Sequence, residues 1–320
     1  MLLEYEARDY VGVVHRLSAV PRSALLEQPS DAFMLLDAAR RVGGLTDLVE
    51  FATEVITSAR RHHDSRVLCD ALNLRGVLLL ECGEPQAAER DWCELVALAS
   101  EADEPQFVAR ASNNLGVSAI LSMRLDDART SFLRAVGAYL RLGYSRGLAQ
   151  SHQNLGIVFR ELDQERASYS HFQQAMTWAY AADTIDEVAR AEEELALMYL
   201  YLNRDSATAT ELAQQALRKF TELGEPLGVA QTLRVAGLIA IARRNIPEAE
   251  RSLNTALRIA TEKKHRLLEA ETLLALSAVA RLKGQVSIAS ALENDGKVVF
   301  VECHSQRWGE QIGKRVAELG

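Results

Sequence analysis

The residues of this chain that could do chemistry fall into a few short clusters. Two adjacent histidines, His62 and His63, could begin a metal site, and the thiols of Cys82 and Cys93 could extend one. Zinc sites need closely spaced ligands such as Cys-x2-Cys, whereas these two cysteines lie several helical turns apart. We therefore expect no metal and no cofactor, and interpret the histidines as a solvated helix end and the cysteines as buried or loop thiols.

Two further clusters could belong to an enzyme. Glu192, Glu193 and Glu194 could supply paired acids for hydrolysis, but adjacent helical residues point about 100° apart and do not converge. The segment from Gly143 to Gly147 lacks the Lys-Ser/Thr of a phosphate-binding loop and is better interpreted as a turn. Since no nucleophile stands beside a base and an orienting group, the sequence predicts a protein that is not an enzyme.

Composition narrows the class of partner. The chain has 320 residues, of which 48% are hydrophobic and 25% charged, as in ordinary folded proteins. Its net charge of −8 disfavours nucleic acid as a direct ligand, because phosphate neutralisation requires a basic surface. No apolar run approaches the roughly 20 residues that span a bilayer, and the N-terminus does not resemble a signal peptide. Four cysteines without paired spacing indicate reduced thiols, so we expect a cytoplasmic protein with no membrane contact.

A repeat of about 40 residues organises most of the chain. Similar segments with a glycine recur at 72–80, 113–121 and 153–161, and later units carry a small residue at the same place. One extra residue separates the fourth marker from the fifth. The marker positions are Gly76, Gly116, Gly156, Ala196, Gly237 and Ser277. A fixed period of this length is typical of an array of helix pairs.

A second helix in each unit follows a short break. It shows a small residue, a large residue four positions later and another small residue after three more, all on one helical face. Small residues let two helix backbones approach, and the large one fills the space between them. The triads are Ala128, Phe132 and Ala135; Ser168, Phe172 and Ala175; and Ala249, Leu253 and Ala256.

These motifs resemble the tetratricopeptide repeat (TPR) family. The period exceeds the common one of about 34 residues. It is similar to that of kinesin light chains, spindle-orientation scaffolds, bacterial peptide-pheromone receptors and the sensor arms of bacterial regulators. The position of the family's first-helix Trp departs from the pattern and holds Leu72, Ser112, His152 and Glu192. The resemblance implies an all-α, right-handed superhelical solenoid of antiparallel helix pairs, with about seven repeats and an unmatched N-terminal helix.

The organisation predicted along the chain is one domain over 1–320. An unmatched helix lies within 1–20, helix-pair repeats fill 21–303, and a possible capping helix lies within 304–320. Residues 3–18 should present an apolar face without a partner, so either the chain continues in a longer protein or this end packs on another subunit. Over 293–309, Asn-Asp-Gly suggests a turn, but Gly296 keeps the repeat register, so we expect a distorted helix and then a last helix near 306–319.

The resemblance implies that first helices line the inner curve, with ligand-facing positions set by distance from the marker. Amides at these positions could bind a peptide main chain, and Arg could pair with its carboxylates. Val77, Val117 and Ile157 would form an apolar floor. The implied peptide-binding residues are Asn73, Arg110, Asn113, Asn114, Gln150, Gln153, Asn154, Arg160, Arg190, Glu193, Gln231 and Arg234. Asn114 and Asn154 could equally bond between helices, and Arg160 could pair with Glu161 or Glu194.

Three functions follow as hypotheses. The first is a scaffold or adaptor that binds an extended segment of another protein, including one with acidic side chains. The second is the ligand-sensing arm of a bacterial transcriptional or signalling regulator that responds to a peptide or small molecule. The third is a homo-oligomer that assembles through the solenoid ends, including the N-terminal helix.

Overall fold

The computed structural model describes residues 5, 8–43 and 45–319, and its described residues form α-helices and no strand. The chain divides into two compact units, residues 1–115 and 116–320. In the first unit the helices are α1 (Tyr10–Leu17), α2 (Arg22–Leu25), α3 (Pro29–Val42), α4 (Leu48–Arg61), α5 (Ser65–Glu81) and α6 (Pro85–Glu101). Helix α7 (Pro105–Leu121) contains the boundary between the units.

The second unit continues the same alternation of first and second helices. Its helices are α8 (Leu125–Leu142), α9 (Ser145–Glu161), α10 (Glu165–Ala181), α11 (Ile185–Met198, extended by a π-helical turn, Tyr199–Asn203), α12 (Ser206–Leu223), α13 (Pro226–Ala242), α14 (Ile246–Glu262), α15 (Arg266–Leu282), α16 (Val286–Glu302) and α17 (Gln306–Ala317). From α3 to α16 the described helices form the seven antiparallel pairs that the sequence predicts.

A residue in the left-handed conformation ends almost every helix of the array, which makes each repeat unit two similar halves. His63, Gly83, Asp103 and Met123 have positive φ and follow one another at equal intervals of half a repeat. In the same turns a backbone amide closes onto the carbonyl five residues earlier, as Glu84 N does on Leu79 O at 2.8 Å. This is the Schellman type of helix ending, and it reverses the chain within a few residues.

The extra residue in the fifth unit is absorbed by the π-helical turn, Tyr199–Asn203. A π-helical turn accommodates one residue more than an α-helical turn of the same rise. Arg204 then takes the left-handed conformation, one position later than the regular interval after Asp183 would place it. The packing register therefore survives the insertion.

Glycine markers pack directly on the large residue of the following helix. A Cβ added to Gly116 would lie 2.5 Å from Phe132, and one added to Gly156 would lie 2.5 Å from Phe172. Both rings are fully buried. The predicted contact between the small residue of one helix and the large residue of the next is therefore confirmed.

The ends of the chain differ from the sequence expectation in two respects. Val13 and Leu17 of α1 are buried and α1 packs on α3, so this apolar face has a partner within the first unit. The rest of the predicted helix over 3–18 lies partly outside the described residues. Near the C-terminus, Asn294-Asp295-Gly296 lies inside the regular helix α16, because a Cβ at Gly296 would lie only 3.2 Å from the Ala270 carbonyl of α15. Close packing on α15 thus overrides the local turn signal.

Candidate binding surface on the inner side of the first helices

First helices line the inner side of each unit. In the second unit α9 contacts α11, α11 contacts α13, and α13 contacts α15, while no described second helix makes a comparable contact with the next second helix. In the first unit α3 likewise contacts α5. Closer approach of the first helices means that each unit curves with these helices on its inner side.

In the first unit, polar residues predicted for ligand binding pair with one another. Arg110 Nη1 donates to Asp70 Oδ1 at 3.1 Å, and Asn114 Nδ2 donates to Asn73 Oδ1 at 3.1 Å. Asn73 is buried, whereas Asn113 and Asn114 are half-buried. The amides predicted to contact a ligand therefore also join successive first helices.

In the second unit, three predicted residues on successive first helices keep polar groups available. Gln153 of α9 and Gln231 of α13 are half-buried, and their amides make no hydrogen bond with any described residue. Arg190 of α11 is half-buried, and its guanidinium stands 5.7 Å from the Phe220 ring centre. Its charge acts on the nearby Glu193 carboxyl, but it forms no ion pair in the described part of the chain. Gln150, in contrast, donates to Glu187 Oε1 at 2.6 Å. Asn154 is half-buried on the same helix as Gln153.

Arg160 is held inside the protein. Its side chain is buried, Nε donates to Glu161 Oε1 at 2.9 Å, and Nη1 donates to Glu194. Both carboxylates are the partners that the sequence suggested as alternatives to a ligand. The guanidinium therefore joins α9 to α11.

Arg234 and Glu193 are also buried. Arg234 forms an ion pair with Glu271 at 3.2 Å, and Thr232 donates its hydroxyl hydrogen to Glu193 Oε2 at 3.2 Å. Burial, reinforced by the neighbouring Glu194 carboxylate, raises the pKa of Glu193 to about 8. At neutral pH this carboxyl is therefore mostly protonated.

His152 of α9, at the position where the tetratricopeptide-repeat resemblance places a Trp, lies against His171 of α10. His152 Nδ1 lies 3.0 Å from His171 Nδ1, and the His171 ring stacks on Phe159. Burial, together with His171, lowers the pKa of His152 to about 4. Burial also lowers the pKa of His171, so both rings are neutral near pH 7 and stack on each other between α9 and α10.

Sequence reasoning missed the residues that cover this surface from the C-terminal side. Glu161, Tyr201 and Glu271 are buried on or next to first helices, and Trp308 and Arg315 of α17 pack against them. A repeat-register signal did exist, since α17 starts one repeat period after α15. No pattern in the sequence indicated that α17 would contact helices several repeats earlier in the chain.

The sequence matches no protein-family model and no curated protein. Solved structures do match. One is a signal-transduction ATPase with numerous domains (STAND) that has a tetratricopeptide-repeat sensor, from Pyrococcus horikoshii, at 17% identity and a TM-score of 0.63 over 90% of this chain. This chain spans only 46% of that protein. A Rap protein complexed with competence and sporulation factor matches at 12% identity and a TM-score of 0.63, over 98% of both chains.

A third solved structure, NprR in complex with its cognate peptide NprX, matches at 13% identity and a TM-score of 0.53, over 98% of this chain and 82% of that one. These likenesses, together with the helix pairs and the glycine contacts, decide the fold. The chain has the tetratricopeptide-repeat fold. At these identities the likeness extends to the fold alone.

The described residues contain no helix that is both long and apolar enough to cross a membrane. Nor do they bring three or more His, Cys, Asp or Glu side chains together in a group that could hold a metal ion.

Proposed function

We propose that this chain is a non-catalytic peptide-binding module, which holds a segment of another polypeptide on the inner side of its first helices. The observation that carries the proposal is the set of available polar groups on α9, α11 and α13, namely Gln153, Arg190 and Gln231. Amides can both donate to and accept from an extended main chain. Arg190 would pair with a carboxylate of the ligand.

The predicted binding residues that are buried support the surface and do not contact the ligand in this proposal. Arg160, Glu193 and Arg234 shape the surface through internal ion pairs and hydrogen bonds. Val117 and Ile157, both half-buried, supply apolar contact beside the amides. An apolar floor with a few polar anchors is the usual composition of a site with concentrated binding energy.

Two of the solved structures support a peptide as the ligand, because the Rap protein and NprR were each determined with a bound peptide or factor. The STAND protein carries its repeats as a sensor, which supports the regulator-arm form of the proposal. In that form the ligand changes the curvature of the repeats. Self-assembly through the N-terminal helix has less support, since α1 already packs on α3.

The test uses short random peptides displayed on phage and selected on the full chain. Selected peptides are then measured against Gln153→Ala/Arg190→Ala/Gln231→Ala. A matched control carries Gln174→Ala/Gln214→Ala/Arg218→Ala, which removes two amides and one guanidinium from exposed positions of second helices. We expect at least a ten-fold loss of affinity in the first variant and none in the control. Equal affinities for both variants would place the site elsewhere and refute the proposal.

A further inference from the structure

Helix α17 lies against two earlier first helices, α15, which begins one repeat before it, and α9, which begins four repeats before it. Its N-terminal half contacts α15, where Trp308 Nε1 donates to Glu271 Oε1 at 2.7 Å. Its C-terminal half reaches the end of α9, where Gln311 Nε2 donates to Glu161 Oε2 at 2.8 Å and Arg315 Nη2 donates to Asp163 Oδ1 at 2.7 Å. The helix therefore crosses the inner side of the second unit and joins elements about 150 residues apart in sequence.

The surface under α17 combines three carboxylates with an aromatic ring, and we call Glu161, Asp163, Tyr201 and Glu271 the acidic inner surface. Arg160 pairs with Glu161, and Arg234 pairs with Glu271. Three carboxylates therefore meet two buried guanidiniums, and one negative charge remains for a cation of α17. Each of its three carboxylates accepts a hydrogen bond from α17. Arg315 is only 6% exposed and stands 5.7 Å from the Tyr201 ring centre. A guanidinium satisfies such a surface well, because it can stack on an aromatic ring while donating in several directions.

The face of α17 that meets this surface has an amphipathic spacing. Its buried residues lie along one side of the helix, whereas Arg307 and Lys314 are exposed. Within α17 the buried residues are Trp308, Gly309, Ile312, Arg315 and Val316. Leu319, just beyond the end of the helix, is buried as well. The occupant of the acidic inner surface is thus a short amphipathic helix with one buried guanidinium.

Helix α17 is poorly built to remain helical by itself. It has 12 residues, and isolated helices of that length are marginal in water. It contains Gly309 and Gly313, and glycine has a much lower helix propensity than alanine. A cavity of about 530 Å³ also remains between α15, α16 and α17, lined in part by Gly313, Leu274 and Phe300. Incomplete packing and low helix propensity together favour exchange of α17 for a better ligand.

We infer that the acidic inner surface is a receptor for a basic amphipathic helix, and that α17 is its resident occupant, which a partner's helix must displace. This inference rests on the proposed function, because it adds a second region of the same inner side and names the chemistry of the partner. The partner supplies an aromatic or aliphatic face with an Arg near its C-terminal end. While α17 is in place, it excludes such a partner.

The probe is a fluorescently labelled synthetic peptide with the sequence of residues 304–319, added to the full chain and followed by anisotropy. A detached variant, Ile312→Asp/Arg315→Ala, removes two anchors of α17. The control Arg307→Ala/Lys314→Ala changes two exposed residues of the same helix. Both variants lower the net charge by two, so a difference between them does not reflect charge alone. We expect the detached variant to bind the peptide at least ten-fold more tightly than the wild type and the control.

A third variant should increase the fraction of molecules in which α17 covers the acidic inner surface, whereas the detached variant decreases it. A Cβ at Gly313 would meet only Leu274 Cδ1, at 3.9 Å, so Gly313→Ala fits and strengthens α17. We expect Gly313→Ala to bind the peptide several-fold more weakly than the wild type, and the backbone amides of α17 to exchange hydrogen more slowly. Asp163→Lys in the detached variant should weaken peptide binding at least three-fold, because it removes the acceptor for the peptide's arginine at the position of Arg315.

Equal peptide affinity in the detached variant and the wild type would overturn the inference. So would the absence of binding to a detached variant whose helices α9 to α15 retain wild-type hydrogen-exchange protection. Either result leaves the proposed function standing if phage-selected peptides still depend on Gln153, Arg190 and Gln231. A different outcome is that the α17 peptide binds as expected, but the phage-selected peptides do not depend on Gln153, Arg190 and Gln231. That result would support the receptor inference and refute the proposed amide site.

Discussion

Replacing Arg160 by methionine should destabilise the second unit by about 3 kcal/mol. Arg160 is 2% exposed, and its guanidinium pairs with Glu161 and Glu194, two acids on successive first helices. Methionine has a similar length and fills the same space, so little of the effect arises from a cavity. Removing one partner of a buried ion pair typically costs about 3–5 kcal/mol, because a charge is left in a poorly solvated place.

The lower end of that range follows from the remaining contacts. Glu161 still accepts from Gln311 at 2.8 Å and lies 3.6 Å from the Arg315 guanidinium, and the Glu194 side chain is 18% exposed. Both acids therefore keep partial compensation. Neutralising them together with the change, as Arg160→Met/Glu161→Gln/Glu194→Gln, should recover most of the lost stability.

The free energy of unfolding is measured in urea at pH 7 by circular dichroism and by tryptophan fluorescence, and coincident transitions justify a two-state treatment. Arg258→Met serves as the control. It breaks an exposed pair with Glu262 on one helix, which contributes well under about 1 kcal/mol. A loss below about 1 kcal/mol for Arg160→Met would refute the internal network and return Arg160 to the set of ligand-binding candidates.

Three further changes, with Gly137→Leu as a control, test the packing and the buried acid. Gly116→Leu should destabilise by about 1–3 kcal/mol or more, because a Cβ there would lie 2.5 Å from Phe132. Gly137→Leu, which meets no neighbour within 4 Å, should be neutral or slightly stabilising in the same urea titration. Phe132→Ala should cost about 3–5 kcal/mol, and wild-type melting would show that the helix register is wrong. Glu193 has its pKa raised to about 8, so the folded state retains a proton that the unfolded state releases near pH 4.5, and this contribution to stability is lost as the pH rises from about 5 to 8. The free energy of unfolding of Glu193→Gln, relative to that of the wild type, should therefore rise by up to about 1 kcal/mol per pH unit across that window. A difference in unfolding free energy that does not change with pH would contradict the raised pKa.

Several features of the fold could be predicted from residue spacing because they depend on neighbouring helices alone. A glycine at a fixed distance from a large residue determines which faces of two consecutive helices meet, as Gly156 and Phe172 show. Left-handed turns at every half repeat give each helix the same local ending. Even the inserted residue was visible in the sequence, although only the structure shows that it enters the π-helical turn, Tyr199–Asn203.

The candidate site was less accessible to sequence reasoning. The resemblance placed Gln153, Arg190 and Arg160 at comparable positions, but their surroundings differ. Arg160 meets two acids and is buried, whereas Gln153 keeps its amide available. Whether a polar residue faces a ligand or a neighbouring helix depends on the side chains of the next unit, and the repeat period does not specify those.

By itself, the sequence determined the helix pairs, their order and the residues that face each other within a pair, since those contacts are set by short spacings that every unit repeats. Only the tertiary structure decided that α17 returns to the end of α9 and covers the acidic inner surface. That contact depends on the sum of small rotations from one helix pair to the next. A small change in each rotation would separate Arg315 from Asp163, and no single residue pattern encodes their total.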